Sequence, residues 1–232
     1  MPRNLSPSDV NKFRDRLCDV ATLLLSEVGR DGFNMRELAG RLGVSAMTTY
    51  RYFQDKDEIL AAVRARAFAR FADRMEGAAT CPGTASQKIA ALVQTYAEFA
   101  REEQIHYRLM FDLSEATNAV PAEFRAEELR ARAALTRQLC HIADEGAFDG
   151  DPDLAGNVLW SALHGITALH LTGTFRDAEF ERVLSETMHV FARTYMRGAE
   201  IPARCTTGLD VPPISATRGY DCANAISLSP AE

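Results

Sequence analysis

The chain has 232 residues, 47% hydrophobic and 25% charged, with a formal net charge of −6. That is enough apolar material for one large domain or two small ones, and it excludes wholesale disorder, collagen-like repeats and low-complexity sequence. Taken alone, the acid excess argues mildly against a nucleic-acid partner.

Helical periodicity runs to about residue 197, with no convincing alternating strand pattern. Ser6-Pro7-Ser8-Asp9 predicts a capped helix start. Val10, Phe13, Leu17, Val20/Ala21, Leu24 and Val28 then recur at the spacing of one buried face, until Gly29 to Gly32 stop the helix. Asn34 with Glu37 predicts a capping box on a short helix that Gly43 breaks. Ser45 caps another helix to about Phe53, and Asp55 with Glu58 opens a long one to about Met75. Cys81-Pro82-Gly83 reads as a turn, after which Thr84 and Gln87 open a helix carrying Ala91, Leu92, Thr95, Tyr96 and Phe99 on one side. A short apolar stretch follows at Ile105 to Leu113, then a break near Asn118 to Pro121 and a charged helix from about Glu123 to Ala143. Asp151 caps a nearly all-apolar helix over 152–171. The last helix, 178–198, carries a stripe of Phe180, Val183/Leu184, Thr187/Met188, Phe191 and Tyr195. Residues 199–232 lose the apolar period and hold four of the nine prolines, which predicts a flexible tail.

Several chemistries find no support. Cys18, Cys81, Cys140, Cys205 and Cys222 are scattered without C-x-x-C spacing and read as free thiols. The five histidines show no i, i+4 metal pairing, and no G-x-S-x-G, P-loop or G-x-G-x-x-G occurs. No enzyme activity, metal or cofactor is expected. The opening Met-Pro-Arg-Asn-Leu lacks the apolar stretch of a secretory signal. Val158 to Leu171, the most apolar segment, is shorter than the ~20 residues of a membrane span. The expectation is a cytoplasmic protein with no membrane partner.

The informative run is Asn34 to Lys56, NMRELAGRLGVSAMTTYRYFQDK. Leu38, Leu42, Val44 and Phe53 are spaced to face inward, Ala39 is small where two helices cross, and Gly43 suits a sharp left-handed turn. This pattern fits a helix-turn-helix, whose second helix can lie in the major groove, although a plain helical hairpin meets the same packing rules. The outward set favours DNA: Ser45, Ala46, Met47, Thr48, Tyr50, Arg51 and Tyr52, with Lys56 at the next helix start. It supplies hydroxyls, cations and methyl-contacting or stacking groups, the types used on phosphates and base edges.

The run GFNMRELAGRLGVSAMTTYRYFQDKDEIL closely resembles the DNA-binding region of tetracycline-repressor-type transcriptional regulators. The resemblance spans about residues 10–65 and is most specific from Tyr50 to Leu60. It implies an all-α homodimer, with an N-terminal three-helix helix-turn-helix domain (1–56) joined through the helix starting at Lys56 to a C-terminal helical ligand-binding and dimerisation domain (57–198). On the matching positions, Tyr50 implies a contact to DNA backbone or base, Lys56 a phosphate contact and Arg36 a guanine-reading position. Ser45, Ala46, Met47 and Thr48 fall where members vary with operator sequence. Thr49 departs from the larger aliphatic residue usual there and implies a small stability cost. Ala46 and Met47 offer no hydrogen bonds, so direct readout falls to Arg36, Thr48 and Tyr50, aided by DNA shape.

Further along, Tyr107-Arg-Leu-Met-Phe111 and Trp160-Ser-Ala-Leu-His164-Gly165 resemble a C-terminal subtype with a Trp…His-Gly signature, without the usual proline ahead of the first run. Tyr96, Phe99, Tyr107, Phe111, Trp160 and His164 could line a site for a small, largely apolar ligand, or could each be core. Gly156 and Gly165, with Ser161, Ala162 and the stripe on the last helix, suit a homodimer through the last two helices. Arg64, Arg66, Arg70 and Arg74 read as a solvated face that could add to the DNA-facing field. Glu102-Glu103 and Glu127-Glu128 read as exposed acids. The function implied is a repressor released from a pseudo-palindromic operator by its ligand. The alternative is an effector-independent regulator acting through DNA architecture or a protein partner. Charge agrees with a DNA-reading head: residues 1–75 hold 13 basic and 10 acidic residues, whereas residues 76–232 hold 13 and 22.

Overall fold

Short polar side chains stand where six of the helices begin, and each supplies an acceptor for N–H groups that the first turn leaves unpaired. The computed structural model describes residues 6–111 and 122–197. Among these the helices are α1 (Pro7–Gly32), α2 (Met35–Leu42), α3 (Ala46–Tyr50), α4 (Lys56–Ala79), α5 (Ala85–Glu102), α6 (Gln104–Met110), α7 (Ala122–Asp144), α8 (Pro152–Leu171) and α9 (Asp177–Tyr195). The fold is all-α; the one β-type pairing among the described residues is an isolated Phe148–Met196 bridge. The break expected near Asn118 to Pro121 and the tail from residue 199 lie outside the described residues.

Reciprocal capping boxes form at Ser6/Asp9 and Thr84/Gln87. The other two expected boxes are half-made. The Asn34 side chain accepts from the Glu37 N–H at 2.9 Å, but the Glu37 carboxylate pairs with Arg41 at 3.1 Å. Asp55 accepts from the Glu58 N–H at 2.8 Å, while the Glu58 carboxylate takes the Gln54 N–H instead. Gly29 (φ 67°) kinks α1, and Val28, last of the predicted stripe, is exposed. Helix α3 ends at Tyr50, earlier than expected, because Phe53 turns into the core.

Two hydrophobic clusters form. Leu17, Ala21, Leu24, Phe33, Leu38 and Phe53 build the first, together with Ile59, Leu60 and Val63 of α4. The second begins four residues on, with Ala67, Phe68, Phe71, Ala72 and Met75 of the same helix, and extends through α5 to α9. Helix α4 therefore belongs to both cores.

Three expectations change in this second core. Gly156 does permit close helix approach, but to α7 of the same chain: an added Cβ would lie 2.9 Å from Thr136 Oγ1. The α9 stripe is spent internally, since Phe180, Leu184 and Phe191 are buried in the chain's own core. The arginine row on α4 is not a plain solvated face. Arg66 pairs with Asp15 and Asp19 of α1, Arg70 with Glu103, and Arg74 with Glu102 and Glu103. Arg64 lies over the Phe124 ring and donates to the Met110 carbonyl. Glu103 is accordingly half-buried rather than exposed. Burial raises its carboxyl value, but Arg70, His106 and Arg74 outweigh that and hold it below the usual range.

Candidate nucleic-acid interface and aromatic core

The turn between α2 and α3 depends on Gly43, which caps α2 in the left-handed conformation (φ 68°, ψ 30°). Ser45 then caps α3: its Oγ accepts from the Thr48 N–H at 3.3 Å and lies 3.0 Å from Thr48 Oγ1. Thr49, fully buried, donates its hydroxyl to the Ala46 carbonyl at 2.8 Å. Arg14 of α1 braces the far end, donating to the Tyr52 carbonyl and lying 4.3 Å from the Phe53 ring centre.

This bracing presents Met47 and Tyr50 outward, 74% and 50% exposed. Arg36 of α2 and Arg51 after α3 are also exposed, and neither pairs with an acid among the described residues. Ala46 and Thr48 are half-buried and Ser45 is exposed. The remaining expected contacts point inward. Tyr52 packs its ring on Phe13, centroids 4.7 Å apart. The Lys56 ammonium donates to the Arg30 carbonyl near the end of α1 and sits 6.0 Å from the Phe33 ring centre. Arg14 is the bracing residue that the sequence pattern did not mark. Arg51 was visible as an outward cation, whereas the reach of Arg14 spans 38 positions and leaves no local signal.

In the second core all six expected residues join one network, with Phe71 of α4 at its centre. Phe71 meets Tyr96, Phe99 and Trp160 edge-on at 5.2, 5.0 and 5.7 Å between ring centres. Tyr107 packs on Phe111 at 5.0 Å, and Phe111 on the His164 ring at 4.1 Å. Tyr96, Phe99 and Tyr107 are fully buried; Phe111, Trp160 and His164 are only half-buried. A polar line runs through the rings: Tyr96 Oη lies 3.0 Å from Tyr107 Oη, which lies 2.9 Å from His164 Nδ1. Burial pushes both phenols above their ordinary value and His164 below its own, so every member is neutral near pH 7. Phe111 also touches Phe68 of α4 at 5.7 Å.

Outside this network, a shallow groove of about 340 Å³ runs between α7 and α8, lined by Leu129, Arg132, Thr136, Arg137, Cys140 and Asp153. No metal-holding cluster occurs among the described residues, and Cys18, Cys81 and Cys140 are free thiols. No helix among the described residues is long and apolar enough to cross a membrane.

A glycine-turned helix pair with an outward Met-Tyr-Arg surface, fused through one helix to an all-helical body, defines a helix-turn-helix regulator of transcription. The family model of bacterial regulatory proteins of the tetR family matches residues 17–63, and that of the tetracyclin repressor-like C-terminal domain matches residues 89–191. Together they match more than half of the chain, which belongs to the tetR family. The HTH-type transcriptional repressor KstR of Mycolicibacterium smegmatis is 32% identical over 80 residues, 34% of this chain and 39% of that repressor. The chain thus aligns with well under half the length of that relative. Among solved structures, a protein of unknown function from Rhodococcus sp. RHA1 superposes with a TM-score of 0.70 at 22% identity, covering 84% of this chain and 98% of that one. SmeT, the repressor of the Stenotrophomonas maltophilia multidrug efflux pump SmeDEF, superposes at 0.63 and 19% identity, covering 86% and 97%. At these identities the likeness speaks for the fold.

Proposed function

We propose that this chain is a dimeric transcriptional repressor that leaves a pseudo-palindromic operator when a small, largely apolar ligand enters the second core. The observation that carries the reading is the position of α4. Its Ile59, Leu60 and Val63 help to build the core under α3, and its Phe68 and Phe71 belong to the aromatic network. A ligand that displaces those rings acts on the same rigid helix that sets the pose of the DNA-reading surface. DNA and ligand must then weaken each other reciprocally. The division into a DNA-binding part (1–56) and a ligand-binding part (57–198) follows the same logic, with α4 serving both. The Trp160…His164-Gly165 signature supports placing the body in the Trp-His-Gly subtype. KstR and SmeT are both repressors, in line with this reading.

On DNA, Arg36, Thr48 and Tyr50 read base edges and backbone, and Met47 offers its methyl end to thymine methyls. Ser45 and Ala46 line the approach and Tyr52 buttresses α3 from within. The Lys56 ammonium leaves the Arg30 carbonyl for a phosphate. Footprinting and gel-shift titration upstream of the chain's own gene test this. Tyr50→Ala is expected to weaken operator binding at least tenfold with the dimer intact. Lys56→Ala should weaken all sequences alike and lower the salt slope by about 1. Unchanged affinity in both variants sinks the assignment.

A further inference from the structure

Among the described residues, every side chain of the first cluster lies between Phe13 and Val63 except one, Leu109 of α6, which packs against it half-buried. Its neighbours on the same short helix turn elsewhere. Tyr107 and Met110 are buried in the second core, and the Met110 carbonyl accepts from Arg64 of α4 at 3.3 Å. Arg108 donates to the carbonyl of Leu171, the last residue of α8, at 3.3 Å. That carbonyl is one of those a helix end leaves unpaired, and a cation suits it. Helix α6 is thus fastened to the body through α4, α8 and the second core, and it holds Leu109 against the head, α1 to α3 with the start of α4.

The other attachment of the head is α4 itself, whose side chains pass from the first core at Val63 to the second at Ala67. A single helix fixes the distance between two cores but still curves, and parts joined by little surface move relative to one another by default. The stretch from Ala67 back to Lys56 is about 16 Å long, so a tilt of about 12° displaces its end by one base-pair step of about 3.4 Å. A second bearing point off the α4 axis removes that freedom, and Leu109 is such a point. We infer that α6 braces the head against the body, and that Leu109 is a positioning residue for half-site spacing. By fixing the tilt of each head it sets how far apart the two α3 helices stand. This rests on the dimeric repressor reading above and deepens it. Leu109 lies on α6 rather than on the reading surface, so its loss is felt as lost discrimination between spacings. A braced head fits one spacing and is strained on others, whereas a loose head follows the second half-site wherever it lies.

The test titrates the intact chain in gel shifts on the footprinted operator, in its natural form and with one base pair added to or removed from its centre. One base pair moves the second half-site by about 3.4 Å and turns it by about 35°. The wild type is expected to bind the natural spacing at least tenfold more tightly than either altered one. In Leu109→Ala that preference falls to about threefold or less, and the milder Leu109→Val moves it the same way; circular dichroism verifies the fold of both. Leu109→Met, which conserves the volume, keeps the preference. Leu42 is a half-buried member of the same cluster within the head, on α2. Leu42→Ala is therefore expected to weaken all three duplexes alike and leave the preference near that of the wild type. A tenfold preference that survives both Leu109→Ala and Leu109→Val, or one that Leu42→Ala erases as fully, overturns the proposal. So does a wild type that binds the three duplexes equally. Operator binding retained with these outcomes removes the brace alone, whereas a wild type that binds no operator removes the regulator itself.

Discussion

His164 and His106 are both held below the ordinary histidine value, and burial is the leading cause in each; Arg70 adds to it at His106, where Glu103 opposes. A depressed value in the folded chain means that the unfolded chain binds more protons as pH falls through the ordinary histidine range. Stability therefore rises with pH, is complete above about 6.5, and is lost progressively below that value. The thermal midpoint is expected to fall between pH 7.5 and 5.5, and the His164 ring proton should titrate at a lower pH than a histidine in a short peptide. A flat midpoint over that window, read by circular dichroism, removes both histidines from the pH account. Thr49 is the complementary case. Its hydroxyl stands at an apolar site, but the bond to the Ala46 carbonyl satisfies it, so the departure from a larger aliphatic residue leaves no unpaired polar atom.

At the scale of elements, Gly43 makes the cleanest experiment. A Cβ placed there meets nothing within 4 Å, so the whole cost of Gly43→Ala is the left-handed backbone (φ 68°). The loss expected is about 1–2 kcal/mol in denaturant unfolding, together with weaker operator binding as α3 tilts on α2. An unchanged unfolding midpoint contradicts the role given to this turn. Features of this kind were legible in the sequence because they are local. Ser6, Asn34, Ser45, Asp55, Thr84 and Asp151 all cap helices where spacing placed them. The one-sided pattern of α5 likewise marked Tyr96 and Phe99, which join one aromatic network with Tyr107 and Phe111 at α6 and with Trp160 and His164 on α8. What spacing could not encode is which distant group a long side chain finds. The Glu37 carboxylate prefers Arg41 to its cap, Lys56 reaches back 26 positions to the Arg30 carbonyl, and the α4 arginines meet acids on α1, on α5 and just after it. Phe71, which links α4 to three of the other rings, looked in sequence like ordinary packing. The polar line from Tyr96 through Tyr107 to His164 needed the distances themselves.

At the scale of the whole molecule, the net charge of −6 divides between a modestly basic first third and an acidic remainder. Even in the first third most arginines are engaged: Arg14 with Glu58, Arg30 with Asp57, Arg41 with Glu27 and Glu37, Arg66 with Asp15 and Asp19. Exposed pairs of this kind add little stability, so their larger effect is to confine the available positive charge to residues such as Arg36 and Arg51 beside α3. One such surface is small for specific recognition, and two of them about one helical turn of DNA apart make an operator. That requires a dimer, and the exposed apolar face of α8 is where we propose that it forms. Leu154, Val158 and Leu169 are exposed there, Gly165 faces open space, and Val190 is exposed on α9. Because Gly156 and the α9 stripe are used within the chain, this outward face is what remains for a second copy. Val158→Glu puts a charge in its middle without touching either core. Burying that unpaired charge would cost several kcal/mol in the dimer and nothing in the monomer. The variant is expected to keep its helical spectrum, run as a monomer by light scattering, and lose operator retention at concentrations where the wild type is fully bound. A variant that remains dimeric moves the interface off this face of α8, and one that is monomeric yet still footprints both half-sites removes the need for a dimer.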